Sequence, residues 1–148
     1  MKLNIPNTIP KYDELYLPTI KALKELSGSG SNQEIYEKVI EIENFGEEEI
    51  SHIHQIKVDG GYKDDIRTEI EYRLAWAKTY LSQSGYLENT KRSTWVLTEL
   101  GWKTNEIDEN KRKEINKIVK SKKINPEKQK PELDDAYSEL LNDEIQID

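Results

Sequence analysis

A single apolar stripe, followed by a change of period, constrains this chain more than any other feature. Between residues 65 and 85, apolar side chains recur at the spacing of one helical face, which requires that face to pack against a core. The stripe consists of Ile66, Ile70, Leu74, Ala77 and Leu81. Asp65 is a candidate N-cap and Gly85 a candidate helix-ending residue. The stretch therefore predicts a helix over about residues 66–84.

Beyond that glycine, the pattern takes a period of two. Tyr86 and Leu87 predict a short strand, residues 89–93 a polar turn that carries Lys91 and Arg92, and residues 94–97 a return strand. A helix followed by a strand-turn-strand unit with a basic tip is typical of winged helix-turn-helix domains. In such a domain the long helix enters the major groove and the wing lies against a phosphate or the minor groove.

Two further helices are predicted before the long one. The first covers about residues 18–26, because Pro18 is tolerated in a first turn but not in a helix interior. The second covers 31–43, where Ser31 and Glu34 form a capping box. Residues 27–31 read as a turn, 46–50 as the start of a short acidic helix and 55–64 as a loop. The predicted fold class is mostly α (α+β): a winged helix-turn-helix with a two-stranded wing over 86–97 and a charged C-terminal extension.

Several short motifs carry a family resemblance. They are Arg73-Leu-Ala-Trp-Ala77, Tyr80-Leu81 followed by Gly85-Tyr-Leu87, Arg92-Ser-Thr-Trp-Val-Leu-Thr-Glu-Leu-Gly101 and, upstream, residues 17–23 and 34–36. Over about residues 12–101 the chain resembles the N-terminal domain of Mrr-type restriction endonucleases, although that family usually carries glycine where Ser93 stands. The resemblance implies target recognition on DNA, often modified DNA, with a connector leading to a separate catalytic nuclease domain.

Charge is distributed unevenly along the 148 residues. Residues 131–148 hold seven acids and no base, residues 103–130 hold ten bases and five acids, and the first 102 residues carry a net charge of -5. A nucleic-acid footprint would therefore have to be local. The expected division is an N-terminal arm (1–11), the winged domain (12–103), a charged linker (104–132) and an acidic amphipathic tail (133–148). For the basic run at 111–130, a solvated linker and a phosphate-binding arm both remain open.

Composition excludes several classes of protein. Cysteine is absent, so disulfides and thiolate chemistry are excluded, and no apolar run approaches the ~20 residues that cross a bilayer. We therefore expect no membrane partner, no signal peptide and a cytoplasmic location. His52 and His54 lack further His or Cys ligands, and Gln55-Ile-Lys57 stands in the wrong order for a nuclease site. We expect no metal, no cofactor and no catalytic residue.

The candidate DNA-binding residues lie opposite the apolar stripe and on the wing. On the helix, small and hydroxyl side chains would approach base edges while flanking cations meet phosphates. The set is Arg67, Thr68, Tyr72, Arg73, Lys78, Lys91 and Arg92. Packing of Tyr72 and Trp76 against other elements, and a solvated position for the wing cations, are the competing interpretations.

The expected function is that of a non-catalytic DNA-recognition module of a restriction or defence protein. Its partners would be duplex DNA, possibly modified, and either a nuclease domain or a second copy of the chain. The alternative is a protein-interaction or dimerisation scaffold built on the same fold, in which the tyrosine and tryptophan face and the terminal amphipathic helix form a homodimer or bind a partner.

Overall fold

The computed structural model describes residues 4–121, a mixed α/β arrangement of helices and small antiparallel sheets. The helical elements are a 3-10 turn at Tyr12–Leu15, α1 (Tyr16–Glu25), α2 (Asn32–Glu43), α3 (Glu47–Ser51), α4 (Glu69–Gln83), α5 (Glu99–Lys103) and α6 (Glu109–Ser121). The strands are β1 (Ser29–Ser31), β2 (Ile53–Val58), β3 (Gly61–Thr68), β4 (Leu87–Lys91) and β5 (Thr94–Leu97). One sheet has the order β1-β5-β4, and β2 and β3 form a separate hairpin.

The core is built around α4. Ile70, Leu74, Ala77 and Leu81 of the predicted stripe are at most 1% exposed. They share the core with α1, α2 and the β4–β5 hairpin. The structure thus confirms the buried face that the apolar spacing predicts, and α4 becomes the element against which the others pack.

The predicted start of α4 is wrong by one turn. Thr68, not Asp65, is the N-cap, because its hydroxyl accepts from the Glu71 amide while the Glu71 carboxylate accepts from the Thr68 amide. That reciprocal pair satisfies two amides that a helix start leaves unpaired. Asp65, Ile66 and Arg67 lie in β3 instead. At the other end, α4 stops at Gln83, and Gly85 has a φ of 90°, the positive value predicted for a glycine that ends a helix.

The predicted loop over 55–64 is also wrong, because β2 and β3 form an antiparallel hairpin there. Asp59 and Gly60 make its two-residue turn, with Val58 opposite Gly61 and a φ of 83° at Gly60. Asp-Gly between strands favours a tight hairpin turn, since glycine adopts positive φ without a steric cost. The hairpin is inserted between α2 and α4, and we call it the inserted hairpin.

Upstream, the caps agree with the sequence. Ser31 and Glu34 form the predicted capping box at the start of α2. The main helix α1 begins two residues before Pro18, preceded by the 3-10 turn, so the proline lies within the first turn as expected. The predicted turn at 27–31 contains β1, which pairs with β5. The predicted short acidic helix is α3.

In the β4–β5 hairpin, the return strand β5 has the predicted bounds, whereas the first strand is longer than predicted. β4 continues to Lys91, which leaves Arg92 and Ser93 at the turn, and the register shifts between Asn89 and Lys91. The residues that follow β5, Thr98 to Gly101, are held by a hydrogen bond and by close packing. The Thr98 hydroxyl donates to the Gly85 carbonyl, and a Cβ at Gly101 would collide with the Tyr86 carbonyl oxygen. The paired glycine motifs of the sequence therefore meet at the base of this hairpin.

Residues 109–121 fall within the predicted charged linker over 104–132, but they are helical and packed on the core. They form α6, whose Ile115 and Val119 are at most 2% exposed. The Tyr16 hydroxyl donates to Asn116 Oδ1 at 2.7 Å, which ties α6 to the start of α1. Residues 122–132 of the predicted linker and the acidic tail at 133–148 lie outside the described residues.

Candidate nucleic-acid interface

The first turns of α4 are covered by the inserted hairpin. The His54 ring lies 3.6 Å from the Tyr72 ring at an interplanar angle of 12°, and the Arg67 guanidinium carbon is 5.0 Å from the same ring. Trp76 then meets Tyr72 and Tyr80 edge-on at 6.2 and 6.1 Å. Tyr72 is half-buried and Trp76 is 8% exposed. Both rings therefore have internal packing partners on this side of α4.

Glu69 connects the inserted hairpin, α4 and the N-terminal arm. One carboxylate oxygen accepts from or pairs with His54 Nδ1 at 2.8 Å, and the other accepts from Arg73 Nε at 2.7 Å. Burial by itself raises the pKa of Glu69, but the hydrogen bonds and charges of His54 and Arg73 outweigh it and hold the pKa below its ordinary value. Arg73 also donates to the carbonyls of Ile9 and Pro10. The guanidinium of Arg73 thus has three partners within the protein.

Two further predicted DNA-binding cations are buried. Arg67 is 5% exposed, and its Nε donates to Asp65 Oδ2 at 2.9 Å. Lys78 is 5% exposed, and its Nζ donates to Asn32 Oδ1 at 2.6 Å. A cation whose donors are engaged by the protein has little left to offer a phosphate. The structure gives Arg67, Arg73 and Lys78 internal partners, and Thr68 serves as the helix cap.

The turn of the β4–β5 hairpin presents the other two predicted cations. Lys91 and Arg92 are both exposed. The Asn89 side-chain amide donates to the carbonyls of Lys91 and Thr94 at 2.8 Å each, which closes the turn. Ser93 has a φ of 64°, the left-handed region in which glycine is favoured. These two cations are therefore displayed on a closed turn.

A residue that the sequence reasoning missed joins this hairpin to the helices. Asn32, the first residue of α2, accepts with Oδ1 from Trp95 Nε1 at 2.7 Å as well as from Lys78. Its backbone amide donates to the Ser93 carbonyl at 3.0 Å. Lys78 Nζ also lies 5.8 Å from the centre of the Trp95 ring. An asparagine directly after a serine N-cap gave no sequence signal for this role.

The large exposed apolar side chains lie elsewhere. Among the described residues they are Ile53, Val58, Leu100 and Trp102, each between 37% and 47% exposed. The Tyr72 and Trp76 face that the scaffold alternative would use is packed internally instead. No group of three or more metal-ligating side chains occurs within residues 4–121. No helix in that range is long and apolar enough to cross a membrane.

Comparison with known proteins gives one family. The model of the Mrr N-terminal domain matches residues 12–106, well over half of the chain. The match takes in α1, the inserted hairpin, α4 and the β4–β5 hairpin. No curated protein and no solved structure matches the chain.

Proposed function

Because the chain belongs to the Mrr N-terminal domain family, we propose that it is a winged helix-turn-helix module that binds duplex DNA for a restriction-type protein. An N-terminal domain of this family is not the nuclease domain. On this proposal cleavage comes from a separate nuclease partner or domain, and the chain itself contributes target recognition.

The order of elements supports the winged-helix part of the proposal. Apart from the inserted α3 and hairpin, the order is helix, short strand, helix, helix and two-stranded hairpin, with the first strand pairing onto the hairpin. That is the order of a winged helix-turn-helix, in which α4 takes the place of the recognition helix and the β4–β5 hairpin that of the wing. We call this hairpin the wing from here on.

The observation that carries the DNA part is the display of Lys91 and Arg92 at the wing turn. Both side chains are exposed, whereas Arg67 and Lys78 are buried. Phosphate contacts fix the register of a protein on DNA, and exposed Lys and Arg side chains supply them. Because the proposed interface has only a handful of exposed cations on a chain of net charge -7, the module binds weakly, and only a few counterions are released on binding.

The partly exposed side chains of α4 are proposed to face the groove. Thr79 and Gln83 are half-buried and lie on the side of α4 opposite the core stripe, next to Tyr72. Hydroxyl and amide groups bind base edges directly. Tyr72 would act there only together with the inserted hairpin, because His54 covers one of its faces.

Fluorescence anisotropy with a labelled duplex at several salt concentrations tests the proposal. Wild type is compared with Lys91→Ala/Arg92→Ala and with Lys11→Ala/Lys21→Ala, a pair of exposed lysines of the N-terminal arm and α1, outside the wing and the inserted hairpin. Loss of the wing pair should weaken all duplexes about equally and flatten the slope of log affinity against log salt by about two units. The control pair should leave the slope unchanged.

Two results would remove the DNA proposal. One is no binding by wild type at low salt, and the other is equal weakening by the wing pair and the control pair. A concentration-dependent doubling of mass without DNA binding would favour the protein-interaction scaffold in its place. Repeating the titration with modified and unmodified duplexes of one sequence tests whether a modification is read.

A further inference from the structure

We propose that Asn32 is the positioning residue that fixes the wing relative to the recognition helix α4, an inference that rests on the proposed function. Its side-chain oxygen accepts from the wing residue Trp95 at 2.7 Å and from the α4 residue Lys78 at 2.6 Å. One oxygen of α2 thus joins the two elements that are proposed to contact DNA.

Asn32 holds the wing at a second point. Its backbone amide donates to the Ser93 carbonyl at 3.0 Å, and the preceding Ser31 pairs with Thr94. Because Asn32 is the first residue of α2, its backbone N–H has no acceptor within the helix, and the Ser93 carbonyl supplies one. The turn and the Trp95 side chain are consequently both attached to the start of α2.

The two side chains that donate to Asn32 are buried, so water cannot readily replace Asn32 as their acceptor. Trp95 is 3% exposed and Lys78 is 5% exposed. A buried donor that loses its acceptor carries a desolvation penalty, and the penalty is larger for an ammonium group. Shifting the wing away from α4 would separate Trp95 from this acceptor. The Asn32 bonds therefore oppose displacement of the wing.

Placement of the wing matters because Lys91 and Arg92 stand two residues and one residue before Ser93, respectively. Their side chains start from a turn whose backbone is bound to α2, so their distance from α4 is set by Asn32. A wing free to move would lose part of its contribution, since ordering flexible groups at an interface costs affinity. Asn32 would then act on DNA binding without touching DNA.

A double-mutant cycle tests this role. Asn32→Ala is combined with the wing pair Lys91→Ala/Arg92→Ala, and salt slopes and affinities are measured by anisotropy. Asn32→Ala alone should flatten the slope by about one to two units, and adding it to the wing pair should cause no further loss. The control is Val39→Ala, a fully buried change on α2 away from the wing, whose effect on affinity should be additive with the wing pair.

Hydrogen exchange supplies a readout independent of DNA. Amides of residues 91–97 should exchange faster in Asn32→Ala than in Val39→Ala at matched stability, and Asn32→Asp should restore protection because its carboxylate accepts from both donors. If wild type binds no DNA, the proposed function fails while this exchange pattern still measures the positioning. Additive affinity losses, or unchanged exchange in Asn32→Ala, would overturn the role of Asn32.

Discussion

The His54 ring lies flat on the Tyr72 ring at 3.6 Å and so joins the inserted hairpin to the first turns of α4. The same histidine pairs with Glu69, which in turn accepts from Arg73. A residue expected to read bases is thus part of a contact that holds an insertion in place. Stability of this region depends on the charge of Glu69.

We expect Glu69→Gln to destabilise the protein at neutral pH by about 1–3 kcal/mol, because two charge-assisted bonds are weakened in a buried site. The pKa of Glu69 is lower in the folded protein than its ordinary value of 4.5. Its ionisation therefore stabilises the fold above about pH 4.5, and this contribution is lost as pH falls through the lower folded pKa.

Urea unfolding at pH 7, 5, 4 and 3 measures this effect. The difference between wild type and Glu69→Gln should shrink on going from pH 5 to pH 3. Glu88→Gln, an exposed change on β4, is the control and should follow wild type at every pH. A constant difference across the range would contradict the assignment to Glu69 ionisation.

Ser93→Gly should stabilise the protein. A left-handed conformation costs a residue with a Cβ roughly 1–2 kcal/mol, and glycine removes this cost. Glycine also raises the conformational entropy of the unfolded chain, which offsets part of the gain and leaves a net stabilisation of about 0.5–1 kcal/mol. Ser93 has a φ of 64° at the wing turn. Ser29→Gly, in an exposed strand position without positive φ, should instead destabilise. Thermal unfolding compares the two, and a loss of stability in Ser93→Gly would contradict the expectation.

The sequence predicted correctly those elements whose formation depends on residues close together in the chain. The capping box at Ser31, the stripe at Ile70 and Leu74, and the glycine ending α4 each satisfy a nearby backbone or side-chain requirement. The inserted hairpin was missed although Asp59-Gly60 is a tight-turn sequence. Its strands alternate weakly, and Ile66 extends the apolar stripe by one accidental step, so the helix was predicted to start too early.

The site was less predictable, because it depends on contacts between distant residues. Nothing near Lys78 in sequence indicates that Asn32, 46 residues away, accepts from it. Arg73 likewise donates to the Ile9 carbonyl of the N-terminal arm, 64 residues away. The Arg67–Asp65 pair is local, but both residues lie on β3, where the sequence predicted a helix. A helical projection places these cations on an outward face, whereas packing of the insertion and arm gives them internal partners.

Ile115→Ala should destabilise the whole domain by about 2–5 kcal/mol, because the side chain is fully buried and its removal leaves a cavity. Lys117→Ala, on the exposed side of α6, should change stability by no more than about 0.5 kcal/mol. Urea unfolding separates the two cases. Equal, small effects would mean that residues 109–121 behave as a linker, and the domain would then end near residue 103.

Arg67→Gln should lower stability without changing the salt slope of DNA binding, and Lys91→Gln should do the reverse. Each removes one positive charge, but Arg67 is buried and Lys91 is exposed. Arg67 pairs with Asp65, whose side chain is 0% exposed, so its loss leaves a buried carboxylate without its cation and should cost about 3–5 kcal/mol of stability. The salt dependence of DNA binding by the folded Arg67→Gln variant should be unchanged.

Lys91→Gln should leave stability within about 0.5 kcal/mol and flatten the salt slope of DNA binding by about 0.9, the value for one lost phosphate contact. Unfolding and anisotropy on both variants measure the two properties, at a temperature where Arg67→Gln is folded. A flattened slope in Arg67→Gln would show that this buried arginine reaches DNA, and the wing would then not be the main source of phosphate contacts.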